Sequence, residues 1–288
     1  MRSILLALLV LFGAHCEPAK PAPPKQVPTW AFCGVHPDDP YAAQKVLSLA
    51  KNSGFFATFG PCLRPDLTTY SPAYPGQRYG SPDLYLRLVQ LNASVGMKTV
   101  VYDERLWSLD PNLVEQALAY WAPYFGSIAA WDMGDEFDPT YPDQWNELVS
   151  RWGRMQSVAD RSGVRPFTNH MSYDWVLDRA VADLHYGPSD ILSFDVYDVP
   201  TSVATAQKYD SQVTTLMCAV NALKHADYIP TSSSIKKAMK ANRAAGCDMI
   251  LVFGGDMPID TDGFVTPSAV TWNGKPTKLA SGIYWGSR

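Results

Sequence analysis

A (β/α)8 barrel is the fold this sequence predicts, and three observations predict it. Short β-branched or aromatic runs alternate with amphipathic stretches through most of the chain, the pattern of a parallel sheet with helical crossovers. Eight such runs are present. Of the 288 residues, those left after an amino-terminal segment of about thirty come close to the roughly 250 that such a barrel uses.

The predicted strands span residues 30–35, 55–59, 99–102, 128–133, 166–168, 191–196, 214–220 and 249–253. Between them the apolar spacing predicts helices over 41–53, 81–95, 111–124, 142–162, 175–184 and 232–245. Gly54, Gly96, Gly163 and Gly246 each stand just before a strand, where a left-handed helix cap is needed. The sixth helix should lie in 201–212, but the helical pattern there is short. After the eighth strand, Asn273-Gly274 inside 270–279 reads as the turn of a small β-hairpin attached to the barrel.

Composition supports one large core: 47% of residues are hydrophobic and 12% aromatic. Twenty-four basic and twenty-eight acidic residues give a net charge of −4 with no basic run that could track a phosphate backbone, so nucleic acid is excluded as a partner. Arg2 and the apolar run from Ile4 to Phe12 have the form of a secretory signal, too short to span a bilayer. Cleavage after Ala14-His15-Cys16 or lipidation of Cys16 as a membrane tether are both open, although His15 is a poor residue before a lipidated cysteine. Residues 17–29, rich in proline, read as an extended tether, so the expected organisation is a signal over 1–16, a linker over 17–29 and a barrel over 30–288, as a monomer. Cys33, Cys62, Cys218 and Cys247 remain, which permits Cys33–Cys62 and Cys218–Cys247 disulfides, with buried free thiols as the alternative. No Cys-x-x-Cys or histidine cluster suggests a metal, and no cofactor is expected.

In a barrel of this kind the working residues follow the strands. Strand three is followed by Tyr102, Asp103, Glu104, Arg105 and Trp107, and strand four contains or precedes Trp131, Asp132, Asp135, Glu136 and Phe137. Strand five gives Asn169 and His170, strand six Asp195, Tyr197 and Asp198, strand seven Asn221, and strand eight Asp256 after Gly254-Gly255. Acids and amides that bond hydroxyls, beside rings that cover apolar sugar faces, make a carbohydrate substrate the expectation. Tyr102, Trp107, Tyr173 and Tyr197 are candidates for the sugar platform.

The stretch Ala129-Ala130-Trp131-Asp132-Met133-Gly134-Asp135-Glu136-Phe137 resembles the fourth strand of clan A glycoside hydrolases, where an Asn-Glu or Asp-Glu pair supplies the general acid/base. Val100-Val101-Tyr102-Asp103-Glu104, Asp190 through Tyr197, and Tyr228 through Thr231 leading to Gly246 and Phe253 are similar to barrel proteins in or near that clan. The resemblance implies a glycosidase with Glu136 as general acid/base. It departs at strand seven, where the clan's nucleophilic glutamate is replaced by Asn221. Retention needs carboxyls about 5 Å apart and inversion roughly 6.5–9.5 Å, so a partner for Glu136 is sought elsewhere. Asp256 is preferred, because the glycines before it leave room; Asp195, Asp198, Asp103 and Glu104 are the others. Asp103, Glu104, Trp107, Asp135, His170, Asp195, Tyr197 and Asn221 are expected to contact substrate.

Blander roles compete. Acids at strand ends often cap helices or bind a neighbouring Arg, which suits Asp132, Asp198 and Glu104. Strand alternation lets at most one of Asp135 and Glu136 point into a given pocket. Ser233 to Lys236 fits a Ser-x-x-Lys nucleophile pattern but reads as a helix start, and the Asn92-Ala93-Ser94 acceptor falls in a predicted helix. The rival to an enzyme is a non-catalytic carbohydrate-binding or surface-interaction protein on the same barrel, for which Asn221 speaks.

Overall fold

The computed structural model describes residues 26–60, 81–196, 198–221, 230–255, 271–272, 275–276 and 278–288. Its centre is a closed parallel barrel of β1 (Thr29–Cys33), β2 (Ala57–Thr58), β3 (Lys98–Val101), β4 (Ile128–Asp135), β5 (Pro166–Met171), β6 (Ile191–Asp195), β7 (Thr215–Asn221) and β8 (Met249–Gly255). Each strand pairs with the next, and β8 pairs with β1, for example Trp30 against Leu251. The protein is a (β/α)8 barrel, as its alternating pattern predicts.

Helices cover the outside: α1 (Ala42–Ser48), continued by a π-helical turn at Leu49–Ser53, α2 (Pro82–Ala93), α3 (Pro111–Trp121), α4 (Pro142–Ser162), α5 (Asp174–Leu184), α6 (Val199–Tyr209), α7 (Ser232–Ala244) and α8 (Lys278–Gly286). The sixth helix is present despite its short pattern. Asp198 caps it by accepting from the Thr201 N–H, and its buried side includes Ser202, Thr205 and Ala206, small residues that leave a faint apolar stripe. The eighth helix has no counterpart among the predicted helices, and Gly282 and Gly286 interrupt its sequence. In the fold they admit α7: a Cβ on Gly282 would lie 2.4 Å from the Ser232 carbonyl oxygen, and one on Gly286 2.6 Å from Met239 Sδ. Ahead of α8, β9 (Thr271–Trp272) and β10 (Lys275–Pro276) pair antiparallel as the predicted hairpin.

Strand alternation sorts the side chains. Trp30, Phe59 and Phe167 point inward and fill the barrel, with ring centroids 5.3–6.0 Å apart, while Phe32 stacks on Phe253 at 4.2 Å. Outward residues such as Trp131, Met133, Leu192 and Ile250 pack under the helices. On β5 and β6, Phe167 and Ile191 belong to the inner apolar cluster, so Asn169, Ser193 and Asp195 follow on the same inner face toward the carboxyl ends. Polar groups thereby sit on top of an aromatic plug.

The barrel takes in part of the expected tether, since Val27 N–H bonds the Ser287 carbonyl and β1 begins at Thr29. The expected signal, Cys16 and most of the tether lie outside the described residues. Cys218 and Cys247 form a disulfide, with Cα atoms 5.9 Å apart. Cys33 is also disulfide-bonded, and Cys62, its expected partner, lies outside the described residues. Asn92 is fully buried and donates to Thr58 Oγ1 at 2.8 Å and Thr99 Oγ1 at 2.9 Å, so it docks α2 on the barrel and is closed to glycosylation in the folded state. Thr231 and Ser234 form a capping box at the start of α7, the structural role expected of that segment. Among the described residues no helix is long and apolar enough to cross a membrane.

Candidate active site

The site is built around an irregularity in β4. Asp132 pairs with Phe167 and Asp135 with Asn169, so three steps on β4 oppose two on β5. This bulge restores Asp135 to the inner face, which regular alternation would deny it. Gly134 makes the bulge feasible: its φ is +117°, and a Cβ there would lie 2.8 Å from the Phe137 ring. Glu136 follows with φ +52°, left-handed and uncommon for a residue with a side chain. Its N–H bonds the Asn169 carbonyl at 2.8 Å, which holds the turn in place.

The bulge turns Asp135 inward, and Glu136 follows it on the exposed rim. Asp135 Oδ1 accepts from Asn169 Nδ2 at 3.0 Å, and the same amide donates to Asp195 Oδ1 at 2.6 Å. The Glu136 side chain lies close enough to both Asp135 and Asp195 for its proton affinity to depend on them. Three carboxyl groups from β4 and β6 therefore converge above β5. Asp135 and Asp195 are buried, whereas Glu136 opens to solvent.

Burial by the surrounding walls raises the Glu136 pKa above the ordinary carboxyl range, the nearby Asp135 charge raises it further, and Asp195 pulls it partly back. The net direction is upward. Trp131 plays no part in this, because it faces the helices and donates to Ser162 Oγ at 3.2 Å. Carboxyl groups this close repel when both are ionised, so the cluster favours a bound proton.

The other predicted residues separate by position. Asp103 is a structural acid: it caps a 3-10 turn at Glu104–Trp107, binds Arg105 Nη2 at 2.6 Å and accepts from Trp121 Nε1 at 2.8 Å. Glu104 is exposed in the first turn of that segment. Trp107 is buried, edge-on to Tyr102 at 5.3 Å, so neither ring forms an open platform with the other. His170 belongs to the outer face of β5, opposite Asn169; it meets Tyr186 Oη at 2.8 Å and lies near Trp145, so it does not line the site. Burial drives its pKa down to about 3, and it is neutral. Asn221 ends β7 on the inner face and is buried. Asp132 accepts from the Gly134 N–H at 3.1 Å and supports the bulge, and Asp198 caps α6, the bland roles expected for both. Asp256 and Tyr197 lie outside the described residues.

Sequence reasoning passed over Ser193 and noticed Asn169 only as the neighbour of His170. Period-two alternation was the available signal, since a residue that opposes His170 in face must enter the barrel. Tyr173 and Trp175, beyond the end of β5, are 59% and 46% exposed with nearly parallel rings 6.2 Å apart. They are the open aromatic surface that Tyr102 and Trp107 do not provide.

No family model matches this chain, and no curated protein matches it. Among solved structures, it is similar to a cysteine mutant of xylanase A from P. fluorescens subsp. cellulosa in complex with xylopentaose. That match has a TM-score of 0.55 at 13% identity and covers 89% of this chain and 96% of that one. An endo-β-1,4-mannanase from Thermotoga petrophila matches with TM-score 0.51 at 10% identity over 91% of this chain and 76% of that one. Tryptophan synthase from M. tuberculosis matches with TM-score 0.52 at 9% identity over 91% and 93%. A xylanase, a mannanase and a tryptophan synthase alike share the architecture at such low identity, so the chain is similar to these proteins in its barrel fold.

Proposed function

We propose that the protein is an exported glycoside hydrolase that cleaves a glycosidic bond in a polysaccharide or glycan, with Glu136 as general acid/base and Asp195 as the second carboxyl group. The closeness of Glu136 to an Asp195 held by the Asn169 amide carries the reading. Retaining hydrolysis uses carboxyls about 5–5.5 Å apart and inverting hydrolysis roughly 6.5–9.5 Å. Groups close enough to influence each other's proton affinity are nearer to the first. Asp195 therefore replaces Asp256 as the favoured partner.

The roles follow from the surroundings. The upward shift favours the protonated form of Glu136, the form that can protonate the leaving oxygen, while Asp195, held by the Asn169 amide, attacks the anomeric carbon. Tyr173 and Trp175 offer ring faces to sugar units outside the cleft. Disulfide bonding is in keeping with export.

A second reading, a non-catalytic carbohydrate-binding protein, is favoured by one observation: an amide, Asn221, ends β7. Incubation of the mature protein with xylan, β-mannan and other polysaccharides decides between them. Release of reducing ends supports the enzyme, and binding without release supports the alternative.

A further inference from the structure

Asn169 is fully buried and touches every acid of the cluster. Its side-chain nitrogen donates to Asp135 Oδ1 and Asp195 Oδ1, its backbone carbonyl accepts from the Glu136 N–H, and its side-chain oxygen accepts from Ser193 Oγ at 2.7 Å. The Ser193 hydroxyl, itself fully buried, thereby sets which end of the amide faces the carboxylates. An aspartate of the same shape would add a like charge and remove both donors. Alanine would leave two buried carboxylates without them.

We infer that Asn169, oriented by Ser193, is the positioning residue of this site, tying Asp135 on β4 to Asp195 on β6 so that Asp195 stays turned toward Glu136. The inference rests on the reading of Glu136 and Asp195 as the working pair. Donors to a carboxylate favour its ionised form. Asn169 thus opposes a proton on Asp195 and so weakens the downward pull that Asp195 exerts on the Glu136 pKa, which leaves Glu136 the better proton holder. Among the described residues, the ionisable groups bonded to Asn169 are Asp135 of β4 and Asp195 of β6, through its side chain, and Glu136, just past β4, through its carbonyl.

The test needs no substrate. Carbon-13 titration of the Glu136 side-chain carboxyl is compared in ligand-free wild-type protein, Asn169→Ala, Ser193→Ala and Ser193→Thr, alongside melting temperatures. Loss of the amide lets Asp195 take the proton, so the Glu136 midpoint falls by about one pH unit in Asn169→Ala. Ser193→Ala moves it the same way by less, and Ser193→Thr, which keeps the hydroxyl, restores it. Midpoints that stay at the wild-type value in both alanine variants overturn the inference. Should Asn169→Ala fail to fold, the contrast between Ser193→Ala and Ser193→Thr decides alone. Wild-type protein inactive on every polysaccharide would remove the hydrolase reading and leave this titration standing, so the two failures are distinguishable.

Discussion

Asp135 and Asp195 share the side-chain amide of Asn169 although they leave strands separated by β5. The bulge in β4 brings one acid inward, and the regular alternation of β6 brings the other. If Asp195 is the second carboxyl of a hydrolase, Asp195→Asn should lower kcat at least about 10²-fold. Asp256→Asn should then be much milder. Parallel kinetics on a polysaccharide that the wild type cleaves check this, and the reverse ranking would return the role to Asp256.

The positive φ of Glu136 is retained at a cost in stability. Non-glycine residues in that region are strained by roughly 1–2 kcal/mol. A Glu136→Gly variant relieves it. It should melt at a higher temperature than wild type at pH 7 while losing activity, as scanning calorimetry with parallel assays would report. A lower melting temperature would show that the left-handed turn carries no strain.

His170 should govern part of the acid sensitivity of the fold. Its pKa is about 3 in the folded barrel against 6.5 for the free side chain, so the native state binds fewer protons than the unfolded state between those values. Its contribution is fully present above pH 6.5 and is lost as pH falls toward 3, by up to about 1.4 kcal/mol per pH unit. Denaturant unfolding of His170→Gln should show a shallower pH dependence over that window, with activity at neutral pH kept. An unchanged slope would place the sensitive group elsewhere.

Much of the barrel was legible because its strands and helices obey two periods and its helices end in glycine. Gly54, Gly96, Gly163 and Gly246 all adopt positive φ where the sequence required caps. The last helix was hidden because Gly282 and Gly286 serve close helix packing, a tertiary demand that resembles a break in a one-dimensional pattern. At the site, Glu136 and Asp195 could be named from their places after strands. Asn169 and Ser193 could not, because their importance depends on strand register and on a bulge that changes which face Asp135 takes. His170 was misassigned for the same reason in reverse: it is one residue from the inner face and therefore lies on the outer one.

The proposed hydrolysis turns on Glu136 delivering a proton to the leaving group. Glu136→Gln keeps the size of the side chain and its hydrogen bonding while removing the ionisable proton. On a glycoside with a poor leaving group, the wild-type rate should fall as pH rises through the raised Glu136 pKa, because the acid must be protonated to act. The variant should lose that alkaline limb and about 10²-fold or more in rate, yet cleave an aryl glycoside with an activated leaving group almost as fast in the first chemical step. Equal rates for the variant and wild type on the unactivated glycoside would contradict the assignment.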